Sequence, residues 1–64
     1  MTREEIEAKL AALKWTLDGP RQTVYGFKAS IQRGSVTIIV TGSTEIGVLE
    51  DLLRDAEKRA GRQP

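Results

Sequence analysis

The N-terminal part of the chain carries the hydrophobic pattern of an amphipathic helix. Its apolar side chains recur at i, i+4, i+7 and i+11, namely at Ile6, Leu10, Leu13 and Leu17. At about 100° per residue these positions fall in one narrow stripe. Thr2 and Glu5 have the spacing of a capping box, which predicts the start of the helix. Asp18, Gly19 and Pro20 predict its end, because glycine suits the position after a helix and proline cannot continue one.

The middle of the chain alternates apolar and polar residues, as half-buried strands do. The alternating apolar positions are Tyr25, Phe27, Ala29 and Ile31 in residues 22–32, and Val36, Ile38 and Val40 in residues 35–41. With Arg33 and Gly34 as a two-residue loop, the predicted cross-strand pairs are Ile31 with Val36, Ala29 with Ile38, and Phe27 with Val40. All these pairs then lie on one face, as a buried face requires. A bulged turn of three or four residues is the alternative to this loop.

A second helix is predicted after Gly42, with Ser43 as its N-cap. Its apolar stripe consists of Ile46, Leu49, Leu52, Leu53, Ala56 and Ala60. Gly61 is expected to stop this helix before a short tail, residues 61–64.

These elements predict a small α+β fold, with residues 1–64 forming a single αββα domain. Because a lone two-stranded hairpin is marginal by itself, we expect both helices to pack on one face of a two-stranded antiparallel sheet. A domain of 64 residues also has a small core, which a partner could complete.

Composition argues against catalysis and against cofactors. The chain has no cysteine and no histidine, so the best nucleophile, the usual general base and the common zinc ligands are missing. We therefore expect a non-enzymatic protein with no cofactor and no metal. Ten basic and nine acidic residues give a net charge of +1, too balanced to predict nucleic-acid binding. No apolar run is long enough for a membrane span and the acidic start is unlike a secretory signal, so a cytoplasmic location is expected.

Two surfaces are candidates for binding a partner. On the first helix, a strip opposite the apolar stripe holds Ala8, Ala11, Ala12 and Trp15. Small residues allow close approach and tryptophan is common at interface hot spots, so the Trp15→Ala variant is expected to fold normally and lose partner binding. The alternative is that Trp15 folds back over the edge of the domain or is simply exposed.

The second candidate surface is a basic stripe on the second helix, formed by Arg54, Lys58, Arg59 and Arg62. It could contact an acidic protein surface or a phosphate backbone. The alternative is that these residues complement the dipole at the helix C-terminus. Asp51 and Asp55 lie among them and weaken the case for nucleic acid.

The sheet edges offer a third mode of binding. Both edges of a two-stranded sheet lack partners, so a strand of another chain, or of a second copy of this one, could be added. Lys28 is the one obvious charge on the first strand that would oppose the addition of another strand.

The chain is short, has a helix–hairpin–helix order, opens with Met1-Thr2-Arg3-Glu4-Glu5 and continues with Leu10-Ala11-Ala12-Leu13. In these features it resembles the lambda W-type phage head–tail joining proteins. The resemblance implies an αββα fold, several copies bound at the portal vertex with a virion-associated location as the alternative to the cytoplasm of the host cell, and no catalytic residues. Arg62 would be a remnant of the basic tail found in that family.

Three functions follow as hypotheses. The first is a virion assembly protein that joins head to tail, with portal or tail components as partners. The second is a small phage-type inhibitor or adaptor that binds a host protein, with self-association as a variant. The third is a nucleic-acid-binding module, whose affinity would fall steeply with salt.

Overall fold

The computed structural model describes residues 2–61, with side chains for residues 2–59. The elements are α1 (Arg3–Ala12), β1 (Thr16–Thr23), β2 (Gly26–Arg33), β3 (Val36–Gly42) and α2 (Glu45–Gly61). The strands form one antiparallel sheet in the order β1-β2-β3. Both helices share a single core with one face of this sheet. The fold is therefore α-β-β-β-α, and the predicted two-stranded sheet is wrong.

The first helix begins as predicted but ends five residues early. The Glu5 amide donates to Thr2 Oγ1 at 3.2 Å, which confirms the N-cap. At the other end the Lys14 amide donates to the Ala11 carbonyl at 2.9 Å, and the Trp15 amide donates to the Leu10 carbonyl at 3.0 Å. This pair of bonds is a Schellman motif, which needs a left-handed residue between the helix and the next segment. Lys14 supplies it with φ of +70°.

The strand that sequence patterning missed, β1, is an edge strand with an interruption. Its sequence, TLDGPRQT, lacks the alternation of apolar residues that marks a half-buried strand. Pro20 has no amide hydrogen and is tolerated because β1 pairs on one side only. A β-bulge between Asp18 and Arg21 absorbs one extra residue. Leu17, expected on a helix, instead faces the core from this strand.

The hairpin of β2 and β3 has the predicted buried face and a different register. Its loop is Gly34 and Ser35, and Arg33 pairs with Val36. Every partner is thus shifted by two residues from the prediction, with these observed pairs: Ile31 with Ile38, Ala29 with Val40, and Phe27 with Gly42. A shift of two preserves the face on which each side chain lies, because strands have a period of two. The positive φ of Gly34, +61°, is what a type II′ turn requires at its first loop residue.

Thr44, and not the predicted Ser43, caps α2. The Gly47 amide donates to Thr44 Oγ1 at 3.1 Å, three residues into the helix. The inner face of α2 is buried at Val48, Leu49, Leu52, Leu53 and Ala56. Val48 was not predicted there, whereas the predicted Ile46 is partly exposed. The predicted Ala60 side chain and residues 62–64 of the predicted tail lie outside the described residues, and Gly61 belongs to the helix.

One hydrophobic cluster joins all five elements. Its buried members outside α2 are Ile6, Leu10, Trp15, Ala29, Ile31 and Ile38, with Leu13, Leu17, Phe27 and Val40 packed around them. Arg3 adds a polar link between the helix starts, since its guanidinium bonds to Glu7 at 2.8 Å and also to Glu45. The hydrogen bond to Glu7 and both carboxylate charges raise the pKa of Arg3 above its ordinary value, so its charge is constant.

A first prediction concerns the left-handed residue at the end of α1. A left-handed conformation costs a non-glycine residue about 1–2 kcal/mol. Glycine avoids this cost, although its unfolded chain has more entropy to lose. Lys14→Gly is therefore expected to raise the free energy of unfolding by about 0.5–1 kcal/mol. Urea denaturation measures this, and Lys9→Gly within α1 is the control expected to lower it by a similar amount.

A second prediction compares two glycines that both have positive φ. A Cβ at Gly26 would collide with the carbonyl oxygen of Gly42, and Gly26 has φ of +138°. A Cβ at Gly34 would meet no heavy atom within 4 Å. Gly34→Ala is expected to cost about 1 kcal/mol of strain alone. Gly26→Ala should cost about 3 kcal/mol or more. Equal losses in urea denaturation would contradict the close approach of β2 and β3 at Gly26.

Candidate binding surfaces

Trp15 is a core residue, which corrects the prediction that it ends an exposed strip on α1. It lies three residues past the last residue of α1, and only 4% of its surface is exposed. The Arg33 guanidinium covers its ring, with Cζ 4.6 Å from the ring centroid. Arg33 is held there because its Nη1 donates to the Leu13 carbonyl at 3.1 Å. The predicted helical phase failed because the chain reverses at Lys14 before Trp15 is reached.

The indole nitrogen of Trp15 is the one buried side-chain nitrogen or oxygen without a hydrogen-bond partner in residues 2–59. A buried donor without a partner lowers stability, whereas the large packing area of the buried indole ring raises it. The cation–π contact with Arg33 offsets part of this cost.

The three alanines of the predicted strip are exposed on α1, but the Trp15 ring does not lie beside them on that surface. They are Ala8, Ala11 and Ala12. Ala12 also borders a shallow groove with Lys9, Leu13 and Glu57, where the end of α1 meets α2. The structure thus separates the small residues from the side chain expected to anchor a partner.

The basic stripe on α2 is exposed, but two of its members bind neighbouring carboxylates. Arg54 Nη1 lies 3.3 Å from Asp51, and Arg59 Nε lies 3.9 Å from Asp55. Lys58 is exposed next to them. Arg62 lies outside the described residues. These pairs reduce the positive potential that a phosphate backbone would need.

The most exposed large apolar side chains lie at the tip of the β1–β2 hairpin. Val24 is 92% exposed and Tyr25 is 95% exposed. The two residues form the loop between Thr23 and Gly26, which pair with each other. Sequence patterning placed Tyr25 on the buried face of a strand, because the alternation of apolar residues continues through it. Gly26 directly after Tyr25 was the available signal for a turn.

The face of the sheet opposite the helices is open and mostly polar. The bulge brings Asp18 and Arg21 to this same face, where Arg21 Nη2 lies 2.9 Å from Asp18 Oδ1. Lys28 and Ser30 continue the surface on β2, and Ile39 adds an apolar side chain that is 59% exposed. Together they line a groove of about 350 Å³.

None of the polar or charged side chains of residues 2–59 is buried, apart from the indole nitrogen of the apolar-packed Trp15. Over the same part of the chain, no group of three or more Asp, Glu, His or Cys could hold a metal ion. No helix between residues 2 and 61 is long and apolar enough to cross a membrane.

A third prediction reverses the outcome expected from the sequence for Trp15. Removing this side chain leaves a cavity under Arg33, so Trp15→Ala should lower the free energy of unfolding by about 3–5 kcal/mol. Trp15→Phe keeps most of the packing and removes the unpaired indole nitrogen, so it should cost less. Urea denaturation followed by circular dichroism measures both variants. An unchanged urea midpoint for Trp15→Ala would show that the Trp15 side chain is not part of the core.

No protein-family model matches the chain, and neither a curated protein nor a solved structure matches it significantly. The resemblance to the head–tail joining proteins therefore rests on the residues quoted for it and stays a hypothesis. The function has to be argued from the surfaces of the chain itself.

Proposed function

We propose that this chain is a non-enzymatic protein-binding module that contacts its partner with the tip of the β1–β2 hairpin. The observation that carries the proposal is the exposure of Val24 and Tyr25, two neighbouring apolar side chains that contribute almost nothing to the core. Apolar side chains of this size at a protruding point are typical of a contact surface.

The residue types suit an anchor in a partner's pocket. Tyrosine is enriched at interface hot spots, since it offers a large apolar ring and a hydroxyl that can bond. Val24 extends the apolar area beside it. Lys28 and Thr41 line a groove at the base of the tip and would form a polar rim.

The backbone of the tip is held in place, which lowers the entropic cost of binding. The Tyr25 amide donates to Thr23 Oγ1 at 3.3 Å. Next to it, Gly26 lies against the Gly42 backbone of β3 with no room for a side chain. A preformed loop loses less freedom on binding than a flexible one.

The partner class that fits best is a protein with an apolar pocket and an acidic border near Lys28. A portal or tail component, as the resemblance implies, and a host target of an inhibitor or adaptor both belong to this class. The third strand departs from the αββα fold implied by the resemblance, so the broader protein-binding role is the proposal. Nucleic acid is less suited, because two arginines of the basic stripe are paired with aspartates.

The experiment is affinity capture from lysate of the native or infected cell, read by mass spectrometry, with wild type and a tip variant in parallel. The tip variant, Val24→Ser with Tyr25→Ser, removes apolar side chains that are already in solvent. Its free energy of unfolding, measured in urea, should therefore change by less than about 0.5 kcal/mol. We expect it to lose the protein that wild type captures.

The matched control replaces Arg54 and Lys58 with serine, which changes the same number of exposed residues on the outer surface of α2, away from the hairpin tip. It should capture the same protein as wild type. Equal capture by the tip variant, or loss only in the α2 variant, would refute the proposed contact surface. Recovery of portal or tail proteins would identify the assembly role, and recovery of one host protein would identify an inhibitor or adaptor.

A further inference from the structure

The two edges of the sheet differ in how they are protected. At β1, the bulge, Pro20 and the ion pair of Asp18 with Arg21 interrupt any pairing with another strand. These are devices by which proteins block sheet edges. At β3, the sequence VTIIVTG is regular, uncharged and free of proline. Among the described elements, β3 pairs only with β2, so the backbone groups of its outer edge are paired with no strand.

The hydrogen-bonding groups on this edge follow from the hairpin geometry. Arg33 and Val36 close a two-residue loop, so they form a hydrogen-bonded pair. Along an antiparallel strand the direction of the backbone groups alternates from residue to residue. The amide and carbonyl groups that point away from the sheet are therefore those of Thr37, Ile39 and Thr41.

We propose that β3 pairs antiparallel with β3 of a second copy, about a two-fold axis at Ile39, to form a continuous six-stranded sheet. In this register Ile39 faces Ile39 of the other copy, and Thr37 faces Thr41. Each outward amide then meets an outward carbonyl, so the three residues of one edge satisfy the three of the other.

The side chains agree with this register on both faces. On the open face, Ile39 is 59% exposed in the single chain and would be covered by its symmetry mate, with threonines on either side. On the helical face, Ile38 would meet Val40. Val36, 40% exposed, would lie beside Gly42, which has no side chain to obstruct it. β-Branched pairs of this kind favour strand pairing.

A second copy fits this edge better than a foreign strand for reasons of charge and symmetry. No residue of β3 is charged, so pairing two copies brings no like charges together within the strand pair. The arrangement of residues about Ile39 is nearly symmetric, because a threonine lies two residues before it and another two residues after it. This symmetry suits a two-fold contact, in which the same patch serves both copies. This edge shares Thr41 with the groove at the base of the hairpin tip but does not include Val24 and Tyr25, so variants of different residues test the dimer and the partner contact separately.

The test combines the oligomeric state with a charge pattern that reports the register. Wild type should sediment as a dimer at high concentration and dissociate on dilution, measured by analytical ultracentrifugation between about 1 μM and about 1 mM. Thr37→Lys with Thr41→Lys places lysine opposite lysine at two symmetric points. It should raise the dimer Kd at least about tenfold.

The matched control changes the same positions with the opposite pattern. Thr37→Lys with Thr41→Glu places lysine opposite glutamate in the proposed register, so it should dimerise at least as well as wild type. The lysine–lysine variant mixed with Thr37→Glu/Thr41→Glu should give a mixed dimer, which also shows that the lysine–lysine chain is folded. Circular dichroism checks the fold of each variant.

Three outcomes would overturn the inference: a monomeric wild type over the whole concentration range, an unweakened lysine–lysine dimer, or equal weakening by lysine–lysine and lysine–glutamate. The last would show contact at this edge in another register. The tip variant with serine at positions 24 and 25 should dimerise like wild type, which separates this contact from the one proposed for the partner.

Discussion

The reversal of the chain at Lys14 is the constraint on which the rest of the fold depends. One left-handed residue ends α1, turns Trp15 toward Leu10 and the core, and starts β1 along the edge of the sheet. A helix continued to Leu17 would include the first residues of β1 and disturb the pairing of the third strand, and a lone two-stranded hairpin is marginal. The local strain at Lys14 is thus offset by the burial of a tryptophan and by the pairing of a third strand.

Much of the fold could be predicted from the sequence, because α2 and the inner faces of β2 and β3 have strong periodic patterns and the capping box marks the start of α1. The register of the hairpin was missed by two residues, since a shift of two keeps the apolar residues of both strands on the same face and only the choice of loop distinguishes the two registers. β1 could not be found this way, because an edge strand with a bulge and a proline has no period. Leu17 was assigned to the core correctly and to the wrong element.

The candidate site was harder to predict than the fold. The helical phase placed Trp15 on the exposed side of α1, but this phase holds only while the helix continues. A lysine in the left-handed conformation does not indicate from sequence that the helix ends there. Tyr25 was assigned to a strand because it extends the alternation of apolar residues in β2 into the loop. At the hairpin tip, Tyr25 is exposed although the periodic pattern would have placed it inside. In the proposed dimer each copy would present such a tip, so a partner with repeated sites would be bound with avidity.

The burial of Trp15 beneath Arg33 also gives this molecule a built-in optical probe. The chain has a single tryptophan, so its fluorescence comes from one site at the junction of α1 and β1. An indole shielded from water emits at shorter wavelength than a solvated one, so any event that opens this junction shifts the emission. Tyr25, the one tyrosine, lies in solvent at the other end of β1. The core and the exposed tip can therefore be followed separately, without attaching a label, as the protein unfolds or meets another molecule.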